Sequence, residues 1–138
     1  MRYIDTSVLV PYYLPEARSA EANALVICGG ETAVSDITLA EFYVVVARKV
    51  REGVLTREAA DKIKTLFEKH LLSGFYQRLP FRSSHVEKVR EMAWSSSVHL
   101  RTLDALHVVV AAQYGAEVIT FDDRVAKAAR GIGLAVSP

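Results

Sequence analysis

One cysteine, Cys28, is all the sequence contains. That excludes an internal disulfide and a cysteine-ligated zinc site, and it suits a reducing cytoplasm. Long apolar runs are missing as well: none approaches the ~20 residues that span a bilayer, and no charged-then-apolar leader opens the chain. The expectation is a cytoplasmic protein with neither membrane anchor nor signal peptide. An excess of charge is missing too, since 17 Lys and Arg face 16 Asp and Glu. A net charge of +1 points to no nucleic-acid partner by itself, although a negative pocket would be hidden in such an average. There is no phosphate-cradling P-loop, no Rossmann glycine fingerprint and no Ser-His-Asp order, which leaves nucleophilic and nucleotide-cofactor chemistry without support. Repeats, low-complexity tracts and linkers are absent. What remains is 138 residues, 51% hydrophobic and 24% charged, the make-up of one globular domain over 1–138.

Strands and helices alternate along that domain. Tyr3-Ile4 reads as a strand that ends at Asp5 and turns into a short helical segment through Val8-Leu9-Val10, with Pro11 soon after. Apolar residues at helical spacing mark a helix from Glu16 to Cys28, stopped by Gly29-Gly30. Thr32 to Ser35 is a short strand. Thr38 opens a strong helix through about Glu52, and Thr56 caps an amphipathic one that ends before Gly74. Phe75 to Phe81 reads as a strand. Ser84 and Glu87 form a capping-box pattern for the next helix, which Ser95-Ser96-Ser97 ends. Thr102 caps a helix from Leu103 to Tyr114 that is apolar on most sides and therefore central. Glu117 to Phe121 is a strand, Asp122 or Asp123 caps a helix to about Arg130, and Leu134-Ala135-Val136 closes as a strand. Short, nearly continuous apolar strands between helices predict an α/β fold with a parallel sheet covered on both faces.

Four carboxylates carry the chemistry, and each has an ordinary reading beside the functional one. Asp5 ends a strand, where polar residues commonly begin a loop. Glu41 completes a capping box, Thr38-Leu39-Ala40-Glu41. Asp104 sits in the first turn of a helix, where the dipole favours an anion, yet it opens a mostly buried helix. Asp122 follows an apolar strand and serves as an N-cap, as does Asp123. Taken together they say more, because strand carboxyl ends and helix N-termini lie on the same edge of an α/β sheet. The four acids could therefore converge in one crevice. Like charges that close disfavour joint ionisation unless a cation compensates. Hard oxygen ligands without His or Cys partners suit Mg²⁺ or Mn²⁺, which lowers the pKa of bound water and neutralises charge on a phosphate.

Thr6, Ser7 and Thr120 stand beside these acids, where hydroxyls orient a carboxylate or close a local turn. His107 lies one helical turn after Asp104 and reads as a packed, hydrogen-bonded histidine rather than a ligand. Arg48, Lys49, Arg51, Arg101, Arg124 and Lys127 either grip a nucleic-acid backbone or form a solvated surface. The rival class is a non-catalytic RNA- or protein-binding module whose acids only cap helices. A phosphatase built on Asp5 lacks its second aspartate, because Ser7 stands two residues on.

These residues resemble a known family. Tyr3-Ile4-Asp5-Thr6-Ser7-Val8-Leu9, Ser35 with Thr38-Leu39-Ala40-Glu41, Leu100 to His107, and Ile119-Thr120-Phe121-Asp122-Asp123-Arg124 fall in the order found in PIN-domain ribonucleases. The match spans essentially the whole chain and is nearest to the VapC toxins of toxin–antitoxin pairs. The resemblance implies a three-layer α/β/α fold and metal-dependent endonuclease activity on RNA, leaving 5′-phosphate and 3′-hydroxyl ends. It implies Asp5, Glu41, Asp104 and Asp122 as the metal site, Thr6 or Ser7 as the hydroxyl after the first acid, and Thr120 as the hydroxyl before the last. Its Thr-x-Asp pattern favours Asp122 over Asp123. It also implies a homodimer and inhibition by a small cognate antitoxin.

Overall fold

Each strand divides its side chains between two cores, as the two-residue strand period requires. In the computed structural model, which describes residues 1–27, 29–95 and 100–138, the first strand is β1 (Arg2–Ile4). Tyr3 faces one apolar cluster and Ile4 the other. The same split recurs in β2 (Thr32–Ser35) with Ala33 and Val34, in β3 (Tyr76–Leu79) with Leu79 and Tyr76, and in β4 (Glu117–Ile119) with Val118 and Ile119. With β5 (Val136–Ser137) these strands form one parallel sheet in the order β3-β2-β1-β4-β5.

Helices cover both faces. On the Ile4 side, α1 (Thr6–Tyr13), α2 (Ser19–Ile27), α3 (Asp36–Arg51) and α4 (Arg57–Leu72) contribute Leu9, Val26, Phe42 and Phe67. On the Tyr3 side lie α5 (Ser83–Ser95), α6 (Thr102–Gln113) and α7 (Asp123–Gly131), which contribute Met92, Val108 and Ala128. This is the three-layer α/β/α arrangement, and α6 is as central as its all-round apolar sequence requires. No helix among the described residues is long and apolar enough to cross a membrane.

Several element ends differ from the sequence expectation, each for a local reason. Strand β4 stops at Ile119 because its partner β1 stops at Ile4, so Thr120 and Phe121 leave the sheet. The ladder likewise confines β3 to Tyr76–Leu79. Helix α3 starts at Asp36, ahead of Thr38. Its N-cap is Ser35, whose Oγ accepts the Thr38 amide at 3.2 Å, while the Thr38 hydroxyl turns back to the Ser35 amide. The capping box is therefore Ser35 with Thr38, and Glu41 is free of it. Thr102 is the first residue of α6 rather than its cap; Arg101 takes that place without a side-chain bond. Ser84 lies inside α5, which begins at Ser83. The expected end of the second helix at Cys28 and the Ser96-Ser97 stop fall outside the described residues.

Candidate functional site

In an open α/β sheet the crevice lies outside the strand carboxyl ends, where the strand order reverses. Here that point is between β1 and β4, and Asp5 and Thr120 are the residues that leave those strands. The Asp5 amide reaches the Ile119 carbonyl at 3.0 Å, and its side chain caps α1. That carboxylate is 4% exposed. Its Oδ2 accepts the Ser7 hydroxyl at 2.5 Å and the Thr120 hydroxyl at 2.7 Å. Both hydroxyls are themselves positioned, Ser7 by the Phe121 amide at 2.9 Å and Thr120 by the Asp122 amide at 3.0 Å. With Oδ2 so held, Oδ1 turns to His107, whose Nε2 is 3.4 Å away.

Glu41 stands in the second turn of α3, where its Oε2 accepts from the Thr6 hydroxyl and from His107 Nε2, the latter at 2.7 Å. His107 is buried in α6 between these acids and Tyr3, whose hydroxyl meets Nδ1 at 2.6 Å and continues to Ser35 Oγ at 2.7 Å. Burial pushes the imidazole down, but the Tyr3 oxygen and then the Glu41 and Asp5 carboxylates outweigh it and hold the ring well above its ordinary value. Burial would likewise raise Glu41, yet His107 and Thr6 keep it below the usual carboxylate range. One imidazole nitrogen thus stands between two adjacent carboxylates. Sequence reasoning reads His107 as packed and hydrogen-bonded, and it is both, in the middle of the acids.

Asp104 and Asp122 line the same cavity of about 550 Å³ as Asp5, Thr6, Ser7, Glu41 and His107. Asp123 does not line it and is exposed. Asp122 caps α7 by accepting the Arg124 amide at 2.8 Å, and the Arg124 side chain meets its other oxygen at 3.0 Å. Those bonds to Arg124 outweigh burial and hold Asp122 below the usual range. Asp104 Oδ2 is buried with no hydrogen-bond partner. Among the described residues the tight donor set is Asp5, Glu41 and His107, with atoms within 4.8 Å of one another. Asp104 and Asp122 share the cavity but lie outside that set. Both His107 nitrogens are engaged, so oxygen atoms are what the cavity offers a ligand. Several carboxylates on one cavity, one of them with an orphaned buried oxygen, fit a hard divalent cation such as Mg²⁺ or Mn²⁺.

Two features escaped sequence reasoning. Asp36 also lines the cavity and accepts both the Phe81 amide and Arg78 Nε at 2.7 Å. It follows β2 as Asp5 follows β1, a signal the sequence did carry. The Tyr3–Ser35–Thr38 chain behind His107 depends on strand register and had no sequence signal. Of the basic residues, Lys49 pairs with Glu16 at 2.6 Å and Arg48 with Glu52 at 3.9 Å, while Arg124 reaches the cavity acids.

The family model for the PIN domain matches residues 2–131. No curated protein matches the sequence. Among solved structures, the sarcin–ricin loop cleaving toxin VapC20 of Mycobacterium tuberculosis superposes with a TM-score of 0.74 at 18% identity, covering 93% of this chain and 95% of its own. VapBC2 of Rickettsia felis, bound to a promoter DNA fragment, gives 0.71 at 17% identity over 99% and 98%. FitAcB of Neisseria gonorrhoeae gives 0.67 at 22% identity over 100% and 97%. At these identities the likeness is one of fold.

Proposed function

The chain belongs to the PIN domain family, and from that premise we propose that it is a Mg²⁺- or Mn²⁺-dependent endoribonuclease, the toxin of a toxin–antitoxin pair. The observation that carries this reading is the meeting of Asp5, Glu41, Asp104 and Asp122 on one cavity at the sheet's switch point. Those four carboxylates would hold the ion. When bound, it neutralises charge on a phosphate and lowers the pKa of water. Ser7 and Thr120 fix one Asp5 oxygen so that the other turns to His107, and Thr6 and His107 fix Glu41. Val44, Leu103 and Val125 wall the same cavity with apolar surface, which strengthens every electrostatic contact inside it. The sarcin–ricin loop cleaving neighbour supports RNA as the substrate, and the VapBC2 neighbour supports a small antitoxin as the partner. A homodimer is the assembly proposed.

The test is cleavage of total RNA by the purified protein. Asp5→Asn abolishes cutting while the fold persists, and EDTA abolishes it in the wild type. Cleavage by Asp5→Asn at the wild-type rate, or cleavage that EDTA leaves untouched, refutes the reading. The non-catalytic alternative keeps one point in its favour, since Asp5 and Asp122 do cap α1 and α7. Glu41 caps nothing, so Glu41→Gln separates the two: loss of cleavage at an unchanged melting temperature excludes a role in capping alone.

A further inference from the structure

Arg124 stands beside two of the acids that line the cavity. Its side chain is 44% exposed, and its guanidinium lies along Asp122, with Nη2 3.0 Å from Oδ2 and Nε 3.4 Å from Oδ1. The same Nε stands 3.8 Å from Asp104 Oδ2. Two carboxylates therefore share one cation, and they share it unequally. Asp122 receives the guanidinium bonds and the Arg124 amide as well, whereas Asp104 Oδ2 stays buried without a hydrogen bond. Across the cavity, Asp5 and Glu41 share His107 in the same manner. Arg124 is thus the permanent cation beside Asp104 and Asp122, and it is carried on a flexible stem.

We propose that Arg124 is a resident counter-cation that competes with the divalent ion for Asp104 and Asp122, so that entry of the ion and departure of the guanidinium are one event. The inference rests on the metal-dependent reading above. A guanidinium keeps its charge at any working pH, so it cannot vacate the site by losing a proton and has to move. Its contact with Asp104 is longer than a hydrogen bond, and its pairing with Asp122 is half-exposed, where an ion pair holds weakly. A doubly charged ion gains both carboxylates, including the oxygen that Arg124 leaves unpartnered. While the guanidinium occupies the site, apparent ion affinity falls by the fraction of pockets that are open. Removing it therefore tightens ion binding. In the metal-free protein the same removal leaves Asp104 and Asp122 without compensation, so that state loses stability. An ordinary helix-end ion pair would lose equally in both states.

The experiment measures Mn²⁺ binding by titration calorimetry to the wild-type protein, Arg124→Gln and Arg124→Lys, with melting temperatures taken in EDTA and in saturating Mn²⁺. Arg124→Gln is expected to bind Mn²⁺ about tenfold tighter, or ~1.4 kcal/mol, and to lose more melting temperature in EDTA than in Mn²⁺. Arg124→Lys, which keeps the charge without the planar fork, falls between. Mn²⁺ binding by Arg124→Gln that is unchanged or weaker overturns the proposal, as does an equal loss of melting temperature in both conditions. If neither wild type nor variant binds Mn²⁺, the metal-dependent reading falls too. If wild type binds and the variant binds no tighter, only the role of Arg124 falls.

Discussion

Thr120→Val is the most demanding test of how the site is held. Valine keeps the shape of the side chain and deletes only the hydroxyl, at a residue that is 4% exposed. That hydroxyl donates to Asp5 Oδ2 at 2.7 Å and accepts the Asp122 amide at 3.0 Å. Loss of a hydrogen bond to a charged group costs about 1.5–3 kcal/mol, and the Asp122 amide loses its partner as well. For a chain of this size that lowers the melting temperature by about 5–12 °C. Groups that orient a metal-holding carboxylate also matter for binding, so Mn²⁺ affinity should fall ~10–100-fold. Ser7→Ala removes the other hydroxyl on the same oxygen. The double variant should therefore be non-additive by about 0.5–3 kcal/mol. Urea denaturation with calorimetric Mn²⁺ titration of all four proteins reads these quantities. If Thr120→Val matches the wild type in both, the hydroxyl pair does not hold Asp5 and the argument for a positioned acid is wrong.

Other consequences concern the scaffold and its pH range. Phe67 is fully buried with its ring 4.4 Å from that of Phe42 and 5.3 Å from that of Tyr13; Phe67→Ala should cost about 3–5 kcal/mol in guanidinium denaturation, and a loss under about 1 kcal/mol would contradict the packing. Ser35→Ala removes the α3 cap and should cost about 1 kcal/mol, with a further loss because the Tyr3 hydroxyl is left short of a partner; a variant as stable as wild type refutes the cap. Burial raises the Asp36 carboxyl, but the Phe81 amide and Arg78 outweigh it and hold it below the usual range. A group lowered by folding stabilises the protein above its unfolded pKa of about 4 and loses that contribution as pH falls through the folded value. Asp36→Asn should therefore flatten the acid limb of the stability–pH curve, and an unchanged limb counts against the pairing with Arg78 and Phe81.

Much of the fold could be read from the sequence because local rules and the tertiary structure agree. The short segments at Tyr3-Ile4, Thr32 to Ser35 and Val118-Ile119 read as strands in the sequence and are buried strands in the sheet. What misled was competition between equivalent caps. Ser35 and Thr38 both suit an N-cap, and the end of β2 at Ser35, set by pairing with β3, decides between them. That shift carries Glu41 from a capping role into the cavity. The strand-end and helix-start rule brought Asp5, Glu41, Asp104 and Asp122 to one edge, but it could not reveal that His107 joins Asp5 to Glu41 or that Arg124 reaches Asp104 and Asp122. His107 looks like one more residue of an apolar helix, and its place depends on Tyr3 arriving from the opposite end of the chain. On the amphipathic helix α4, Phe67 turns inward while Leu66 stays 45% exposed.

The central place of β1 has a consequence for when the crevice can exist. Strands β1 to β3 can pair as soon as they are made, yet β1 then presents an open edge until β4 lies against it. Asp5 gains its Thr120 bond only with that pairing, which closes a loop of more than a hundred residues. Because a growing chain is made from its N-terminus, an unfinished one cannot form the crevice before the ribosome has passed Asp122. Contacts of such long range are also slow to form. The crevice is thereby a late product of the chain's own synthesis, and the delay is written into strand order.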